Sequence, residues 1–401
     1  MNPRTDVEDA IQAVLPAVRA ARHDIHAHPE LAYEEHRTAA KVTDWLQALP
    51  HAEIATGIAG TGVTATFAAD RPGPAVALRA DMDALPIEAE LSGVPYASTA
   101  PGKMHACGHD GHTAMLLGAA TVLDGLAAEL AGPVRLIFQP AEEGGAGALK
   151  MRDAGVLQDP DIAAVFGLHN MPDPQTHVGQ IALCEGPAMA GTGSFTLRLK
   201  GKGGHAAMPH GCIDPIVAGS QMVNALQTIV SRETDPVKSA VVSVTCFQAG
   251  TAFNVIPETV ELRGTIRALE PAILKATAQR VHEIVAGVAQ AMGVTYELDL
   301  PLGYPPTINH AKTNAYFRDT VARIGRSDDL VVVPPVLGGE DFAYFSETVP
   351  GTFFFLAARP EDKADVPFCH HPAFDFNDDL LADGIRLHVA LARDFAHRWD
   401  G

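Results

Sequence analysis

The sequence has few basic residues for its length. Of its 401 residues, 29 are Lys or Arg and 48 are Asp or Glu, so the formal net charge at pH 7 is −19. Nucleic-acid phosphates and anionic membrane surfaces both require basic partners. We therefore expect neither nucleic acid nor a membrane as a partner of this protein.

Long apolar runs are also missing. No segment approaches the ~20 consecutive apolar residues of a transmembrane helix, and the runs at 114–120 and 353–358 have the length of core segments. The first ten residues are acidic, and no apolar segment of signal-peptide type follows them. These absences predict a cytoplasmic protein.

Cysteine is scarce and scattered, whereas histidine is abundant. The five cysteines stand at 107, 184, 212, 246 and 369, and no pair forms a Cys-x-x-Cys motif. An odd number without paired spacing argues against a disulfide framework and is typical of reduced thiols. An apolar fraction of 47% excludes disorder. The 18 histidines raise the question of whether some of them cluster.

The first part of the chain, up to residue 185, alternates helical and strand-like segments. Helical periodicity covers 7–26, 38–49 and 112–126, and apolar β-rich runs occupy 62–67, 75–79, 134–138 and 163–167. This alternation predicts an α/β domain with a parallel or mixed sheet and helices on both faces. The tail from 304 returns to the same style.

The segment 186–303 has a different pattern. Its predicted elements follow the order β-α-β-β-α-β, with a helix that begins at Asp214-Pro215 and another at Pro271. That order is the order of a ferredoxin-like α+β domain. We therefore predict one α/β domain, 1–185 and 304–401, interrupted by an inserted domain, 186–303.

Polar residues of metal-ligand type follow three of the predicted strands. Asp81 and Asp83 follow the run at 75–79, Glu142 and Glu143 follow 134–138, and His169 follows 163–167. In an open α/β sheet, ligands bind beyond the carboxyl ends of the strands. Two further segments carry metal-ligand types: HACGHDGH (105–112), with Cys107 and His109, and Cys369-His370-His371-Pro372.

These residue types suit the hydrolysis of an amide bond. Two divalent metals ~3.5–4 Å apart lower the pKa of a bound water and polarise the carbonyl group. Adjacent Glu142 and Glu143 can divide two tasks, since one can bind a metal while the other takes the proton of the water.

Several long motifs resemble one family. They are RHDIHAHPELAYEE (22–35), LRADMDALP (78–86), MHACGHDGHT (104–113), FQPAEEGGAGA (138–148), GLHN (167–170), GKGGHAAMPH (201–210), FNVIPE (253–258), GGEDFAYF (338–345) and HHPAFDFND (370–378). Together they resemble the amidohydrolase subgroup of the dinuclear aminoacylase/carboxypeptidase superfamily. This subgroup includes hippurate hydrolases, N-acyl amino acid deacylases and auxin–amino acid conjugate hydrolases.

The resemblance implies two divalent metal ions and a site for them. Position by position, it implies Glu142 as the general base and five metal ligands, which are Cys107, His109, Glu143, His169 and His370. His371 is the alternative to His370. Asp81 stands where the wider superfamily has a metal-binding histidine, so the resemblance leaves the bridging group open, and we favour the Cys107 thiolate. Asp83 matches an acid that orients a ligand or the base.

The resemblance also implies that the inserted domain is a lid that forms a homodimer. In this domain, His205, Asn254 and Arg267 match positions that reach the substrate in the superfamily. For Arg267, a place on a solvated strand face is an equal alternative, because it alternates with Glu261, Arg263 and Thr265. We expect His205 to act on the oxyanion of the partner subunit's site.

The predicted activity is that of a metal-dependent amidohydrolase that cleaves N-acyl (acetyl or aroyl) amino acids. Zn²⁺, Mn²⁺, Co²⁺ and Ni²⁺ all suit the ligand set. Two alternatives remain within enzymes, namely N-acetyldiaminopimelate deacetylation and dipeptide cleavage. A binding module without activity is the alternative from another class, but such a module would be free to lose Glu142 or a ligand, and every position is filled.

Overall fold

A computed structural model describes residues 3–173, 175–361 and 366–400 of the protein. The chain divides into two compact units. Unit 1 comprises Met1–Gly186, Ile308–Pro334 and Asp341–Gly401, and unit 2 comprises Pro187–Thr307 and Pro335–Glu340. The predicted boundaries lie within four residues of the main divisions, but the short segment 335–340 was not predicted to belong with the insertion. The roles of the two units as catalytic domain and lid stay predictions.

The helices and strands are numbered in chain order. The first half of the chain contains α1 (Pro3–Ala27), α2 (His36–Gln47), β1 (Glu53–Ile58), β2 (Gly62–Phe67), β3 (Ala75–Asp81), α3 (His109–Gly125), β4 (Val134–Gln139), α4 (Gly147–Asp153), β5 (Ile162–Met171), β6 (Ile181–Leu183), β7 (Pro187–Met189) and β8 (Gly191–Lys200). The second half contains β9 (Gly204–His205), α5 (Pro215–Thr228), β10 (Ala240–Ala249), β11 (Val255–Ile256), β12 (Thr259–Ala268), α6 (Pro271–Met292), β13 (Thr295–Asp299), β14 (Thr307–Ile308), α7 (Ala311–Arg323), β15 (Leu330–Val332), α8 (Ala343–Ser346), β16 (Gly351–Ala357), α9 (Leu380–Arg393) and α10 (Phe395–Arg398).

Unit 1 is built on a mixed sheet of eight strands, in the order β1-β2-β4-β3-β5-β16-β6-β15. The central strands β4, β3, β5 and β16 are parallel to one another, whereas β2 joins β4 and β6 joins β16 in antiparallel pairs. All seven residues of β3 and of β16 are buried, so helices and loops cover both faces of the sheet. This architecture confirms the predicted α/β fold with a mixed sheet.

Helix α3 is buried around most of its circumference, because nearly all of its residues are apolar or small. It packs against α1, α9 and β3. The backbone approaches its neighbours closely at Gly118, where an added Cβ would lie 2.5 Å from Ile385 Cδ1 and 2.9 Å from Val18 Cγ2. This packing fixes the position of α3 and therefore of the residues at its N-terminus.

Unit 2 contains an antiparallel sheet in the order β10-β12-β8-β13, with α5 and α6 packed against it. If β8, β10, β12 and β13 are counted as strands 1 to 4 in chain order, their order across the sheet is 2-3-1-4. Along the chain, the strands and helices follow the order β-α-β-β-α-β. Buried and less buried residues alternate along β8, because one face of the sheet packs on the helices. Unit 2 therefore has the predicted ferredoxin-like fold.

Within the described residues, no helix combines the length and the apolar composition that crossing a bilayer would require.

Candidate metal centre

The candidate site lies where three adjacent parallel strands end. Asp81 is the last residue of β3, Gln139 is the last residue of β4, and His169 lies two residues before the end of β5. Because β4, β3 and β5 are neighbours in the sheet, their carboxyl ends meet at one edge. The sequence analysis ended the third strand at 167, but pairing with β16, in which His169 opposes Phe355, extends it to Met171.

The N-terminus of α3 brings Cys107 and His109 to the same edge. Gly108 precedes the helix with a φ of 96°, which is a left-handed conformation that favours glycine. An added Cβ at Gly108 would also lie 2.1 Å from Asn170 Oδ1, on strand β5. Glycine therefore allows the helix to begin at His109, three residues earlier than the sequence predicted.

Two groups of three potential ligands converge here. The histidine group is Cys107, His109 and His169, and the glutamate group is Cys107, Glu143 and His370; within each group the ligand atoms lie within 4.8 Å of one another. Cys107 Sγ is 3.3 Å from His169 Nε2, and His370 Nε2 is 3.1 Å from Glu143 Oε1. The structure thus brings together all five predicted ligands and places Cys107 in both groups.

Several of these ligand atoms are buried without a hydrogen bond. Within the described ranges, Nδ1 and Nε2 of His109 and Oε1 of Glu143 have no hydrogen-bond partner, and the short approach of His370 to Glu143 lacks hydrogen-bond alignment. Buried polar atoms are normally satisfied, so open atoms of this kind indicate the place of a ligand. Imidazole, thiolate and carboxylate are ligands of divalent transition metals. The residues therefore fit a metal site.

The charge distribution around His109 also favours a cation. Burial lowers the pKa of His109, but the carboxylates of Asp81 and Asp83 outweigh burial and raise this pKa to about 10. A field that attracts a proton attracts a metal ion as well. Burial and the neighbouring His112 lower the pKa of His169, which keeps its imidazole neutral and able to bind a metal.

The carboxylate of Asp81 forms hydrogen bonds with two buried side chains outside the two ligand groups. Its carboxylate accepts hydrogen bonds from Arg79 Nη1 at 2.6 Å and from His112 Nδ1 at 2.7 Å. All three side chains are fully buried. Asp81, His109 and His112 also form a close group, but the guanidinium of Arg79 beside Asp81 would repel a metal ion bound there. We therefore assign Asp81 to a buried ion pair.

His112 is a site residue that the sequence analysis missed. Its Nδ1 contacts Asp81, and its Nε2 lies 2.7 Å from Asn170 Oδ1, next to His169. His112 therefore connects the end of β3 with the end of β5 beneath the ligands. The spacing between the two histidines could have indicated its position, since His112 follows His109 by three residues and therefore lies on the same face of the helix.

The loop that carries Glu142 and Glu143 is held by Asp83. One carboxylate oxygen of Asp83 accepts the backbone N–H of Glu142 and the other accepts that of Glu143, both at 2.9 Å. Asp83 Oδ1 also lies 3.4 Å from His109 Nδ1. Glu142 is 6% exposed and forms a close group with His109 and Glu143, but it belongs to neither ligand group that contains Cys107.

The two adjacent histidines of the last motif have different positions. His370 belongs to the glutamate group, and its N–H donates to the Ala106 carbonyl at 2.7 Å. His371 Nδ1 instead accepts the backbone N–H of Ala373 at 3.0 Å. The geometry therefore favours His370 over the alternative His371 as a ligand.

In unit 2, the three predicted substrate-binding residues do not lie together. The segments of His205 and Asn254 are adjacent, because β9 pairs with β11 and the Ala206 N–H donates to the Asn254 carbonyl. Arg267 is half-buried near the end of β12, opposite Thr192 at the start of β8, and donates to the Ile266 carbonyl at 2.8 Å. The β9–β11 pair follows the far end of β8, so roughly 25 Å of strand separate it from Arg267.

Comparisons with known proteins identify the family of this chain. A profile of peptidase family M20/M25/M40 matches residues 77–394. The chain is 40% identical over 376 residues to IAA-amino acid hydrolase ILR1-like 4 of Arabidopsis thaliana, covering 92% of this chain and 84% of that protein. It is 40% identical over 373 residues to N-acetylcysteine deacetylase of Bacillus subtilis (strain 168), covering 92% and 94%.

A solved structure is also similar over nearly the whole chain. The YxeP protein of Bacillus subtilis, described as a dinuclear metal binding peptidase from the M20 family, superposes with a TM-score of 0.82 and 36% identity, covering 97% of this chain and 100% of that one. The family and both relatives are named for hydrolysis of amide bonds, and the structural neighbour is described as binding two metal ions. The chain therefore belongs to peptidase family M20/M25/M40 and is a metal-dependent enzyme that acts on amide bonds.

Proposed function

We propose that this enzyme hydrolyses N-acyl amino acids to a carboxylic acid and a free amino acid, with two divalent metal ions held by the histidine group and the glutamate group. One observation carries the proposal: two ligand groups share Cys107, and Glu142 lies beside them without being required by either. A shared ligand between two such groups is the arrangement expected of a dinuclear centre, in which Cys107 is our candidate for the bridging group.

The chemistry follows from the residues at this edge of the sheet. Bound metal ions would supply a water of lowered pKa and would polarise the substrate carbonyl. Glu142 takes the proton of the attacking water and then donates it to the leaving nitrogen, as a general base and acid. Asp83 supports this step because it fixes the backbone N–H groups of both Glu142 and Glu143.

The metal is one of Zn²⁺, Mn²⁺, Co²⁺ and Ni²⁺. Thiolate and imidazole ligands favour these ions over Mg²⁺ or Ca²⁺, and geometry and availability decide among them. The five cysteines are free, which supports a reducing compartment, and we propose the cytoplasm.

The substrate class is supported by the relatives. Two of them are named for acyl amino acids, one as an IAA-amino acid hydrolase and the other as an N-acetylcysteine deacetylase. The name of the structural neighbour, a peptidase, favours the second candidate, which is cleavage of dipeptides. N-acetyldiaminopimelate deacetylation remains a third specificity within the same chemistry.

We also propose that unit 2 forms a two-fold homodimer and completes the partner's site. Within the described part of the chain, thirteen of the seventeen exposed large hydrophobic residues lie in unit 2, although it is the smaller unit. Phe253 is fully exposed, next to exposed Val255 and the site residue Asn254. Apolar exposure of this extent is typical of an interface.

The separation of the lid residues supports action in trans. His205 and Asn254 lie at one end of the unit 2 sheet and Arg267 at the other. One copy of unit 2 therefore cannot direct all three at a single small substrate. In a dimer, we propose, His205 and Asn254 reach the substrate of the partner subunit, with His205 stabilising the oxyanion.

The function is tested with a substrate panel and two adjacent variants. The panel contains N-acetyl, N-benzoyl and indole-acetyl amino acids, N-acetyldiaminopimelate and dipeptides, and we expect the first three to be hydrolysed fastest. Glu142→Gln should keep its metal and lose ~10²–10⁴-fold in turnover, as expected for a lost general base. Glu143→Gln, the matched control, should lose metal. Near-normal hydrolysis by fully loaded Glu142→Gln would refute the base assignment.

The dimer is tested by mixing inactive subunits. His205→Ala should lower turnover by ~10²–10³-fold, the cost of one oxyanion donor, with unchanged metal content. Mixed dimers of His205→Ala and Glu142→Gln should regain activity, because one of their two composite sites is intact. Mixed dimers without any recovery, or a fully active monomer, would contradict action in trans.

A further inference from the structure

The loop that carries Glu142 and Glu143 contains two residues in an unfavourable conformation. This base loop, residues 140–146, connects β4 with α4. Ala141 has a φ of 55° and Ala146 a φ of 54°, although neither is glycine. The left-handed region is costly for a residue with a Cβ, so surrounding contacts must impose it. Ala141 directly precedes Glu142, and its conformation decides the direction in which the next two side chains leave the backbone.

Two contacts hold Ala141, since its carbonyl accepts the N–H of Gly147 at 3.1 Å and its own N–H donates to the side chain of Glu35. Glu35 Oε1 accepts the N–H of Ala141 at 2.8 Å and the N–H of Tyr33 at 3.0 Å. Glu35 Oε2 accepts the hydroxyl of Thr61 at 2.6 Å. The side chain has no solvent exposure. Glu35 is therefore fixed at both carboxylate oxygens and presents one of them to the peptide that precedes the base.

Tyr33 secures the other end of the same loop. Its hydroxyl donates to the carbonyl of Gly145 at 2.5 Å, and Lys150 Nζ lies 3.7 Å from the centroid of its ring. Glu35 and Tyr33 thus contact the base loop on both sides of Glu142 and Glu143. We call these two residues the loop clamp.

The loop clamp acts on different atoms from Asp83. Asp83 binds the N–H groups of Glu142 and Glu143 themselves. Glu35 binds the preceding N–H, at the residue whose φ is left-handed. Asp83 therefore fixes the positions of the two glutamates, whereas Glu35 fixes the φ angle of Ala141, the residue that precedes them. Glu35 belongs to none of the ligand groups, and its direct contact with the segment that carries Glu142 is the Ala141 N–H.

We infer that Glu35 is a positioning residue that keeps Ala141 left-handed and so directs Glu142 and Glu143 toward the metal centre, with Tyr33 restraining the far end of the loop. The inference rests on the proposed roles of Glu142 as base and Glu143 as ligand. It assigns a catalytic consequence to a segment, 33–35, that lies more than a hundred residues before the base.

The first test compares Glu35→Ala with the conservative Glu35→Gln. Glu35→Ala should lower kcat by roughly 10–100-fold with little change in KM, and weaken metal binding by a similar factor, as is typical for residues that orient ligands. Amide hydrogen exchange of residues 139–148 should become faster. Glu35→Gln should retain most function, because its amide oxygen can still accept the Ala141 N–H.

The second test relieves the strain directly. Glycine adopts the left-handed region without penalty, so Ala141→Gly in the Glu35→Ala background should recover roughly tenfold in kcat and metal affinity. Ala146→Gly is the matched control, since Ala146 has nearly the same φ but lies five residues after Ala141, whose N–H Glu35 accepts. Ala146→Gly should give no recovery.

A third variant decides the question if Glu35→Ala does not fold. Tyr33→Phe removes only the hydroxyl bond to Gly145 and should speed exchange of 139–148 while thermal stability stays near normal. Unchanged exchange in Tyr33→Phe overturns the inference. So does a Glu35→Ala protein with normal kcat, metal affinity and exchange, or equal rescue by Ala141→Gly and Ala146→Gly.

Failure of the proposed function would give a different result. If Glu142→Gln keeps its turnover, Glu142 is not the base. Exchange of residues 139–148 would still report whether the clamp restrains the loop, because that measurement needs no assigned role for Glu142.

Discussion

The position of Cys107 in both ligand groups gives a prediction about metal stoichiometry. The wild-type enzyme should bind two metal ions per chain. His169→Ala removes a ligand from the histidine group only, and His370→Ala removes one from the glutamate group only. Each of these variants should keep one tightly bound ion. Cys107→Ala removes a ligand from both groups, so we expect it to lose both ions.

The size of the loss can be worked out from the ligand count. Zn²⁺ bound by four protein ligands has a binding free energy of about 10–16 kcal/mol, which is roughly 2.5–4 kcal/mol per ligand. Losing one ligand should therefore weaken binding by roughly 10²–10³-fold. At a free metal concentration tenfold above the wild-type Kd, an affected site would be filled to about 1–10%.

The assay is metal analysis after equilibrium dialysis in a metal buffer. Cys369→Ala serves as the matched control, since Cys369 Sγ lies 3.9 Å from the Cys107 carbonyl oxygen yet belongs to neither group. It should retain two ions. Two ions in Cys107→Ala, or complete loss in His169→Ala, would show that the shared-ligand arrangement is wrong.

Two further predictions concern the supporting structure. Gly108→Ala should lower both metal content and thermal stability, because a left-handed φ is combined with a clash against Asn170. Gly102→Ala is the control, since Gly102 has a φ of 77° and open space around an added Cβ. It should lose only the roughly 1–2 kcal/mol of stability that a left-handed residue with a Cβ costs. For His26, burial lowers the pKa, but Asp110 outweighs burial and raises it from 6.5 to about 9. The resulting stabilisation, about 3 kcal/mol, is fully present below pH 6.5 and is lost as the pH rises through about 9, so urea unfolding from pH 6 to 10 should show a decline that His26→Gln lacks.

The regular elements could be predicted where apolar periodicity is strong. Strand β2 has the predicted bounds of 62–67, and β3 and β4 extend only one or two residues beyond their predicted runs. Strand β1 was missed, because it is an edge strand whose residues are mostly exposed and show no apolar alternation. The strands β6 and β15 contain three residues each, too few for a period to appear.

The sequence predicts which candidate ligands come together, but it does not predict the contacts that support them. Cys107, Glu143 and His370 were identified by motifs that follow strands or begin a helix. The residues that hold these motifs in place could not be predicted from the sequence, because contacts between residues far apart in the chain depend on the tertiary fold. Glu35 meets the Ala141 N–H across 106 residues, and His112 meets Asn170 across 58.

The charges of the site connect its two layers. The lower layer consists of Asp81, Arg79 and Asp341. Arg79 lies between the two carboxylates, at 2.6 Å from Asp81 and 3.1 Å from Asp341, so its guanidinium provides the positive charge of this layer. In the upper layer, burial lowers the pKa of His109, but Asp81, then Asp83 and then Glu143 raise it by more. The upper layer therefore depends on a bound cation, and a proton on His109 can serve that purpose only until a metal replaces it. Because the metal needs the neutral imidazole and the Cys107 thiolate, binding must release protons, and metal affinity should rise with pH.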